Sequence, residues 1–432
     1  MPQREDVHYF GAGPAPLPTP VLQDAAKALL NYNDMGIGIA EMSHRSPDAN
    51  KVLADAKAAM ATLLDIPTDD YEILFLQSGG SGEFSAVVYN MVGIWVERMR
   101  EFVEKKHASA SEEERFQRLK SAVEKYLRLD YLVTGSWSLK ASQEAARLMG
   151  KEYVHVVCDS REQDNGKFRS IPDEKTWRLD RPTSEDFGDL PMPSAFTYLC
   201  DNETVDGVEF PGFPAALESA AHDRLVVADM SSNFISRKVD VRKYAVIFGG
   251  AQKNIGTTGI TIVIVRKNLL PPHASMASSV LMRKLGLSVG PIVLDWATIA
   301  KNNSLYNTLP IFDVWVAGQV MQRLVSLHGT IAGQEAVSDD KAALLYGVLD
   351  KHPDAYQVVP SRSARSRMNI CLRIKQGDEA AEKKFLGEAT GLGLLGLKGH
   401  RSVGGIRISN CKRCNVTGDA RAHGDTDTGV GR

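Results

Sequence analysis

Tyr244-Ala245-Val246-Ile247-Phe248-Gly249-Gly250-Ala251-Gln252-Lys253-Asn254 is an apolar run that opens into a loop of small residues carrying one lysine. A run without polar alternation reads as a strand buried on both faces, the kind that builds parallel sheets covered by helices. Lys253 then stands at a strand end, where open α/β sheets bind ligands and where partial burial can lower an amine's pKa enough for Schiff-base chemistry. Most lysines are solvated surface groups, so the position needs support. It comes from Leu225-Val226-Val227-Ala228-Asp229-Met230-Ser231-Ser232, a second buried-type run that ends in an acid.

Similar short apolar runs recur at 73–76, 131–133, 153–157, 196–199, 225–228, 245–248 and 260–265, with helix-like or loop segments between them. This alternation predicts an α/β fold with a mainly parallel seven-stranded sheet. From Pro291 the pattern changes to longer helical stretches at 312–327 and 339–349, a strand-like 369–374 and a helix near 379–390, which read as a smaller α+β domain. The expected organisation is an extended N-terminal segment over 1–20, a large domain over 21–290 and a small C-terminal domain over 291–410. Within the large domain, 96–128 is rich in Glu, Lys and Arg, interrupted by Ala108-Ser109-Ala110-Ser111, and reads as solvated helices of a surface insertion. The last stretch, 411–432, has no apolar periodicity and is expected to be a disordered, atypical tail.

Three further strand ends carry candidate chemistry. Leu76-Gln77-Ser78-Gly79-Gly80-Ser81-Gly82-Glu83-Phe84 joins a strand to a helix through three glycines, which lets the backbone N–H groups of a helix start approach an anion. Trp137, in Thr134-Gly135-Ser136-Trp137-Ser138, sits among small polar residues, a setting that suits stacking on a planar ligand better than core packing. Thr204, in Asn202-Glu203-Thr204-Val205-Asp206-Gly207, offers a hydroxyl near that ligand. An amine for a covalent link, a carboxylate that keeps a pyridine nitrogen protonated and a phosphate cradle together are what pyridoxal 5′-phosphate (PLP) requires.

Composition narrows the remaining classes. The 432 residues are 43% hydrophobic and 24% charged, as in ordinary globular proteins. Lys plus Arg at 51 nearly balances Asp plus Glu at 53, which gives no basic field for nucleic acid. The polar start Met1-Pro2-Gln3-Arg4-Glu5-Asp6 and the shortness of the apolar runs speak against a signal peptide and a membrane partner, so a cytoplasmic location is expected. Five scattered cysteines, Cys158, Cys200, Cys371, Cys411 and Cys414, suit a reducing compartment. A lone Cys411-Lys412-Arg413-Cys414 is weak support for a metal, and none is expected.

Taken together, these segments resemble the phosphoserine aminotransferases, class V members of the fold type I PLP enzymes. The resemblance also rests on Phe10-Gly11-Ala12-Gly13-Pro14-Ala15, Glu41-Met42-Ser43-His44-Arg45-Ser46, Gly250-Ala251-Gln252-Lys253-Asn254, Ser304-Leu305-Tyr306-Asn307-Thr308, and Lys398-Gly399-His400-Arg401-Ser402-Val403-Gly404-Gly405-Ile406-Arg407. It implies that Lys253 covalently carries the cofactor and that Asp229 pairs with its pyridine nitrogen. It places Trp137 over the ring, Thr204 beside it, and Gly80, Ser81 and Gln252 at the cofactor phosphate. Asn307 and Thr308 would reach that phosphate from the neighbouring subunit, which implies a homodimer with composite sites. Arg45 would hold the substrate carboxylate, and His44, His400 and Arg401 the substrate phosphate. The implied reaction is reversible amino transfer between L-glutamate and 3-phosphohydroxypyruvate, giving O-phospho-L-serine and 2-oxoglutarate in serine biosynthesis.

The chain departs from that pattern in places. Ser81 and Glu83 replace residues common among relatives, so the Ser81 backbone N–H rather than its side chain is expected at the phosphate. After Ser409 the family's closing helix is expected to be missing, because Asn410-Cys411-Lys412-Arg413 and a polar tail follow. Two rival readings are another class V activity, such as serine:glyoxylate transamination, and a homologue catalytically impaired by the altered C-terminus.

Overall fold

The computed structural model describes residues 2–179, 190, 192–218 and 224–410. Its elements begin with β1 (His8–Tyr9), α1 (Thr19–Leu30), α2 (Pro47–Leu64), β2 (Tyr71–Leu76), α3 (Gly79–Lys106), α4 (Glu112–Tyr126), β3 (Leu129–Val133) and α5 (Ser136–Met149). They continue with β4 (Val154–Asp159), β5 (Phe196–Cys200), β6 (Asn202–Glu203), β7 (Val208–Glu209), β8 (Val226–Asp229), β9 (Val246–Gly250) and β10 (Thr261–Arg266). Then come α6 (Ser279–Lys284), α7 (Trp296–Lys301), α8 (Ile311–His328), α9 (Ile331–Lys351), β11 (Tyr356–Val358), β12 (Asn369–Ile374), α10 (Glu379–Gly391), β13 (Leu394–Leu395) and β14 (Ile406–Ser409).

Seven strands form one sheet in the order β2-β10-β9-β8-β5-β3-β4. All run parallel except β10, which is antiparallel to both β9 and β2. The short connection from β9 forces that reversal, since a parallel return needs a longer crossover. Successive residues of a strand face opposite sides, and the core divides accordingly. Leu74, Leu76, Tyr198, Phe248 and Val263 pack on one face with α3, α4 and α5. Ile73, Phe75, Ile247, Ile262 and Ile264 pack on the other with α2 and α8. Every β3, β5, β8 and β9 residue is buried, which is why those strands show no polar alternation.

The charged stretch 96–128 begins inside a helix. Val96, Met99 and Val103 of α3 are buried, as are Leu119, Ala122 and Val123 of α4, so both helices lay an apolar stripe on the core and turn their charges outward. Ser111 starts α4 through a reciprocal cap with Glu114. The change of pattern at Pro291 marks entry into α7 and α8 rather than a change of core. Trp296 is buried with the large sheet, and Val314, Ala317 and Met321 of α8 pack with α2. A separate small core gathers Leu349, Ile370, Leu372, Ile374, Ala389, Leu397 and Ile406 around the sheet β11-β12-β14.

The N-terminal segment joins this second unit: β1 pairs in parallel with β13, and the Ser409 N–H donates to Phe10 O at 3.0 Å. The expectation of a disordered tail over 411–432 falls outside the described residues. Among the described residues no helix is long and apolar enough to cross a membrane.

Candidate active site

The C-terminal ends of β2, β3, β5, β8 and β9 open on one edge of the sheet, the edge at which α/β folds collect ligands. A cavity of about 170 Å³ lies there, lined among others by Gly80, Ser81, Trp137, Thr204, Asp229, Gln252 and Lys253. Five strand ends thus deliver to one place the residues that sequence analysis put at an amine, an acid, a ring wall and a phosphate cradle. Asn202, Ser231 and Ser232 line it too, although they were quoted in the sequence without a role.

Lys253 sits in the β9–β10 connection, and its Nζ donates to the Ala12 carbonyl of the N-terminal segment. The same segment is tied down by the Ala15 N–H, which donates to Gln252 O at 2.9 Å. Asn254 anchors the loop from the other side, its Nδ2 donating to Phe234 O at 3.0 Å. A Cβ at Gly250 would come within 2.4 Å of the Gln252 side-chain oxygen, so a larger residue there would displace that amide from its present place in the cavity lining.

Asp229 is buried at the end of β8, and Ser231 holds one of its oxygens by both the backbone N–H (2.8 Å) and the hydroxyl (2.6 Å). Burial raises its carboxyl above the ordinary aspartate value, opposed by those Ser231 donors and by the Lys253 charge. A cation placed against it, such as a protonated ring nitrogen, would favour the ionised form.

The cradle is the first turn of α3, whose early N–H groups have no intrahelical acceptor. Beneath it Glu83 is fully buried, accepting from Ser78 Oγ at 2.7 Å and from Trp296 Nε1 at 2.9 Å. Burial pushes its carboxyl up to about 7 despite those two donors.

On the ring side Trp137 is the second residue of α5, and the β6–β7 hairpin carries Thr204. Lys140 stands one helical turn beyond Trp137, with its Nζ 4.2 Å from the indole centroid. Arg407 of β14 donates from Nη1 to the Thr204 carbonyl at 3.1 Å. His400 has its pKa lowered by burial and then by the charges of Arg407, Lys140 and Arg401. A cluster of cations therefore borders the Trp137 and Thr204 wall. Arg407 and Lys140 were not among the residues singled out from sequence.

The other expected residues lie outside the cavity's lining. Arg401 and Arg45 are exposed, and His44 Nε2 is buried with no hydrogen-bond partner among the described residues. Asn307 donates to Gln77 Oε1 at 2.6 Å, next to the cradle's loop, and Thr308 is exposed nearby in sequence.

The lining suits PLP. An amine, a carboxylate, a helix-start cradle and an aromatic wall converge in a space with polar groups at its ends and an indole at its side.

A family model described as aminotransferase class-V matches residues 7–136 and 156–422. The chain is 42% identical to the phosphoserine aminotransferase of Saccharomyces cerevisiae over 94% of this chain and 93% of that one. It is 38% identical to the Drosophila melanogaster phosphoserine aminotransferase, over 93% and 92%. Among solved structures, the phosphoserine aminotransferase from Bacillus circulans subsp. alkalophilus superposes with a TM-score of 0.73 at 30% identity, covering 93% of this chain and 91% of that one. The PLP-bound phosphoserine aminotransferase from Trichomonas vaginalis gives 0.72 at 31% identity, over 93% and 95%. Likeness that runs from the N-terminal segment through the sheet and into the small unit goes beyond a shared fold: the chain belongs to the class-V aminotransferases, in the phosphoserine aminotransferase branch.

Proposed function

We propose that this chain is a PLP-dependent transaminase that moves an amino group reversibly between L-glutamate and 3-phosphohydroxypyruvate, giving O-phospho-L-serine and 2-oxoglutarate in serine biosynthesis. The observation that carries the phosphate preference is the pair of cations seated on two lining residues: Lys140 Nζ lies 4.2 Å from the Trp137 indole centroid, and Arg407 donates to the Thr204 carbonyl at 3.1 Å. Cations gathered beside a ligand wall favour a dianion over an uncharged side chain.

Bound in the cavity, PLP supplies the carbonyl carbon that receives the amino group and a ring that withdraws electrons from the substrate's Cα. Lys253 would hold the cofactor, and its amine is the group that would carry a proton to and from the substrate's Cα. Asp229 keeps a proton on the pyridine nitrogen, Trp137 and Thr204 fix the ring, and Gly80, Ser81 and Gln252 hold the phosphate. His44, Arg45, His400 and Arg401 take the substrate's anionic ends. Asn307 and Thr308 complete the cradle of a partner subunit in a cytoplasmic homodimer. The N-terminal segment 1–20, a large unit over 21–290 and a small unit over 291–410 are the proposed functional divisions, with α7 and α8 packed on the large sheet.

The test is a substrate comparison with the purified protein. O-Phosphoserine with 2-oxoglutarate should turn over, and Arg401→Ala should lower kcat/KM for phosphoserine by about tenfold to a hundredfold while glutamate loses less. Comparable turnover of serine or alanine with glyoxylate would instead favour the serine:glyoxylate type of activity.

A further inference from the structure

Helix α5 carries Trp137 at its second position, yet its N-cap residue is Gly135, which has no side chain to cap with. The cap comes from elsewhere in the chain. Glu203, on the β6–β7 hairpin, accepts from the Trp137 N–H at 2.7 Å with one oxygen. Its other oxygen accepts from the Ser138 N–H at 2.8 Å and the Ser138 hydroxyl at 2.6 Å. That hydroxyl in turn accepts from the N–H groups of Thr134 (3.0 Å) and Gly135 (3.1 Å). Asp206, at the far end of the same hairpin turn, accepts from the Ser136 N–H at 2.9 Å. Five successive amides, 134 through 138, are satisfied by two carboxylates and the hydroxyl one of them orients.

Gly135 is needed for this approach, since a Cβ there would lie 2.2 Å from the Glu203 side chain. Both carboxylates are buried. Between them in sequence lies Thr204, which lines the cavity together with Trp137. The hairpin therefore contributes one wall of the cavity directly and fixes the backbone of the other.

We propose that Glu203, assisted by Asp206, is a positioning residue of the active site: it holds the first turn of α5 so that the Trp137 indole keeps its place relative to Thr204. The inference rests on the PLP reading of the cavity. Neither carboxylate needs to touch the cofactor or substrate, and their effect passes through the α5 backbone. Burial, and then the neighbouring Asp206, push the Glu203 carboxyl up to about 8 against the pull of its Ser138 and Trp137 donors, so its hold on the helix start comes from the number and geometry of these hydrogen bonds rather than from a full charge. Loss of Glu203 leaves four of the five amides without their present arrangement, so the indole gains freedom before the helix as a whole is lost.

The test uses PLP binding by the full-length protein, in wild type and in Glu203→Ala, Glu203→Gln, Trp137→Phe and the Glu203→Ala/Trp137→Phe double variant. Glu203→Ala is expected to raise the PLP dissociation constant by about tenfold to a hundredfold and to reduce the visible circular dichroism of bound PLP, which reports how rigidly the ring is held. Glu203→Gln keeps one acceptor oxygen and should recover part of both signals. If Glu203 acts through Trp137, its removal adds little in the Trp137→Phe background. Additive losses in the double variant, or unchanged affinity and dichroism in Glu203→Ala, overturn the proposal. Should Glu203→Ala not fold, the same cycle built on Glu203→Gln decides the question by the same criterion. A wild type that binds PLP but ignores phosphoserine would defeat the substrate assignment and leave this test intact; a wild type that binds no PLP would defeat both.

Discussion

At the scale of single residues, the amine and the acid were legible because each ends a run of apolar residues, and only a strand end leaves such a polar group both buried and reachable. Lys253→Ala should retain a folded protein and lose transamination by several orders of magnitude, with no visible band of lysine-linked PLP before borohydride treatment and no cofactor left on the protein after reduction and dialysis. Normal turnover in that variant would remove Lys253 from its role. Glu83 was harder to read, since nothing in a Gly-rich loop reveals that the acid behind it sits against the Trp296 indole. Its carboxyl titrates at about 7 in the folded chain against 4.5 ordinarily, because burial favours the neutral form. The fold therefore binds that proton more tightly than the unfolded chain does. Its stabilising effect is complete below the unfolded value and is lost as pH rises through about 7. Relative to Glu83→Gln, the wild type should lose about 3 kcal/mol of stability between pH 4.5 and 8, measured by denaturant unfolding at each pH. Parallel pH profiles for the two proteins would show that folding leaves the proton affinity of Glu83 unchanged.

Elements were legible where burial was two-sided. The strands of the large sheet announce themselves as unbroken apolar runs, and the antiparallel setting of β10 follows from a connection to β9 too short for a crossover. The contacts between elements were not legible. The cap of α5 comes from a hairpin on the far side of β5 in sequence, and no local pattern around Gly135 points to Glu203 or Asp206. The role of α8 was hidden for a related reason: its apolar face looks the same whether it packs on α2 or on a separate domain. Gly135→Ala tests the closeness of the α5 cap. Its backbone is extended, so the substitution meets steric crowding by Glu203 rather than an unfavourable φ. The expected loss is about 1–3 kcal/mol in thermal or urea unfolding, with weaker retention of PLP. A variant as stable as wild type would mean that Glu203 withdraws at little cost.

Across the whole molecule, the two cores meet through buried polar groups as well as apolar contacts. Glu209 of β7 accepts from the Arg367 N–H at 2.7 Å and from Nη2 at 2.9 Å, while Nη1 of the same arginine reaches Asp339 of α9 at 3.0 Å. Nearby, Asn202 donates to Ser232 at 2.7 Å and to Asn369 of β12 at 2.8 Å. The hairpin that shapes the cavity is thus also the seat of the second unit. Arg367→Ala should cost about 1.5–3 kcal/mol in urea unfolding, because it takes the guanidinium from the buried Glu209 carboxylate, which keeps the backbone N–H of residue 367 and Asn233 Nδ2 as donors. A loss below about 1 kcal/mol would show that water replaces the guanidinium. The pairing of β1 with β13 has a consequence for biosynthesis. The strand that steers Ala12 toward the Lys253 amine finds its neighbour only at Leu394 and Leu395. While the ribosome is still making the chain, the large sheet can form, but β1 has no strand to pair with until those residues leave the exit tunnel, and until then the segment is held less firmly, by its contacts around Gln252 and Lys253. A nascent chain arrested earlier would hold its lysine in an open pocket, so the finished site is one of the last features to assemble.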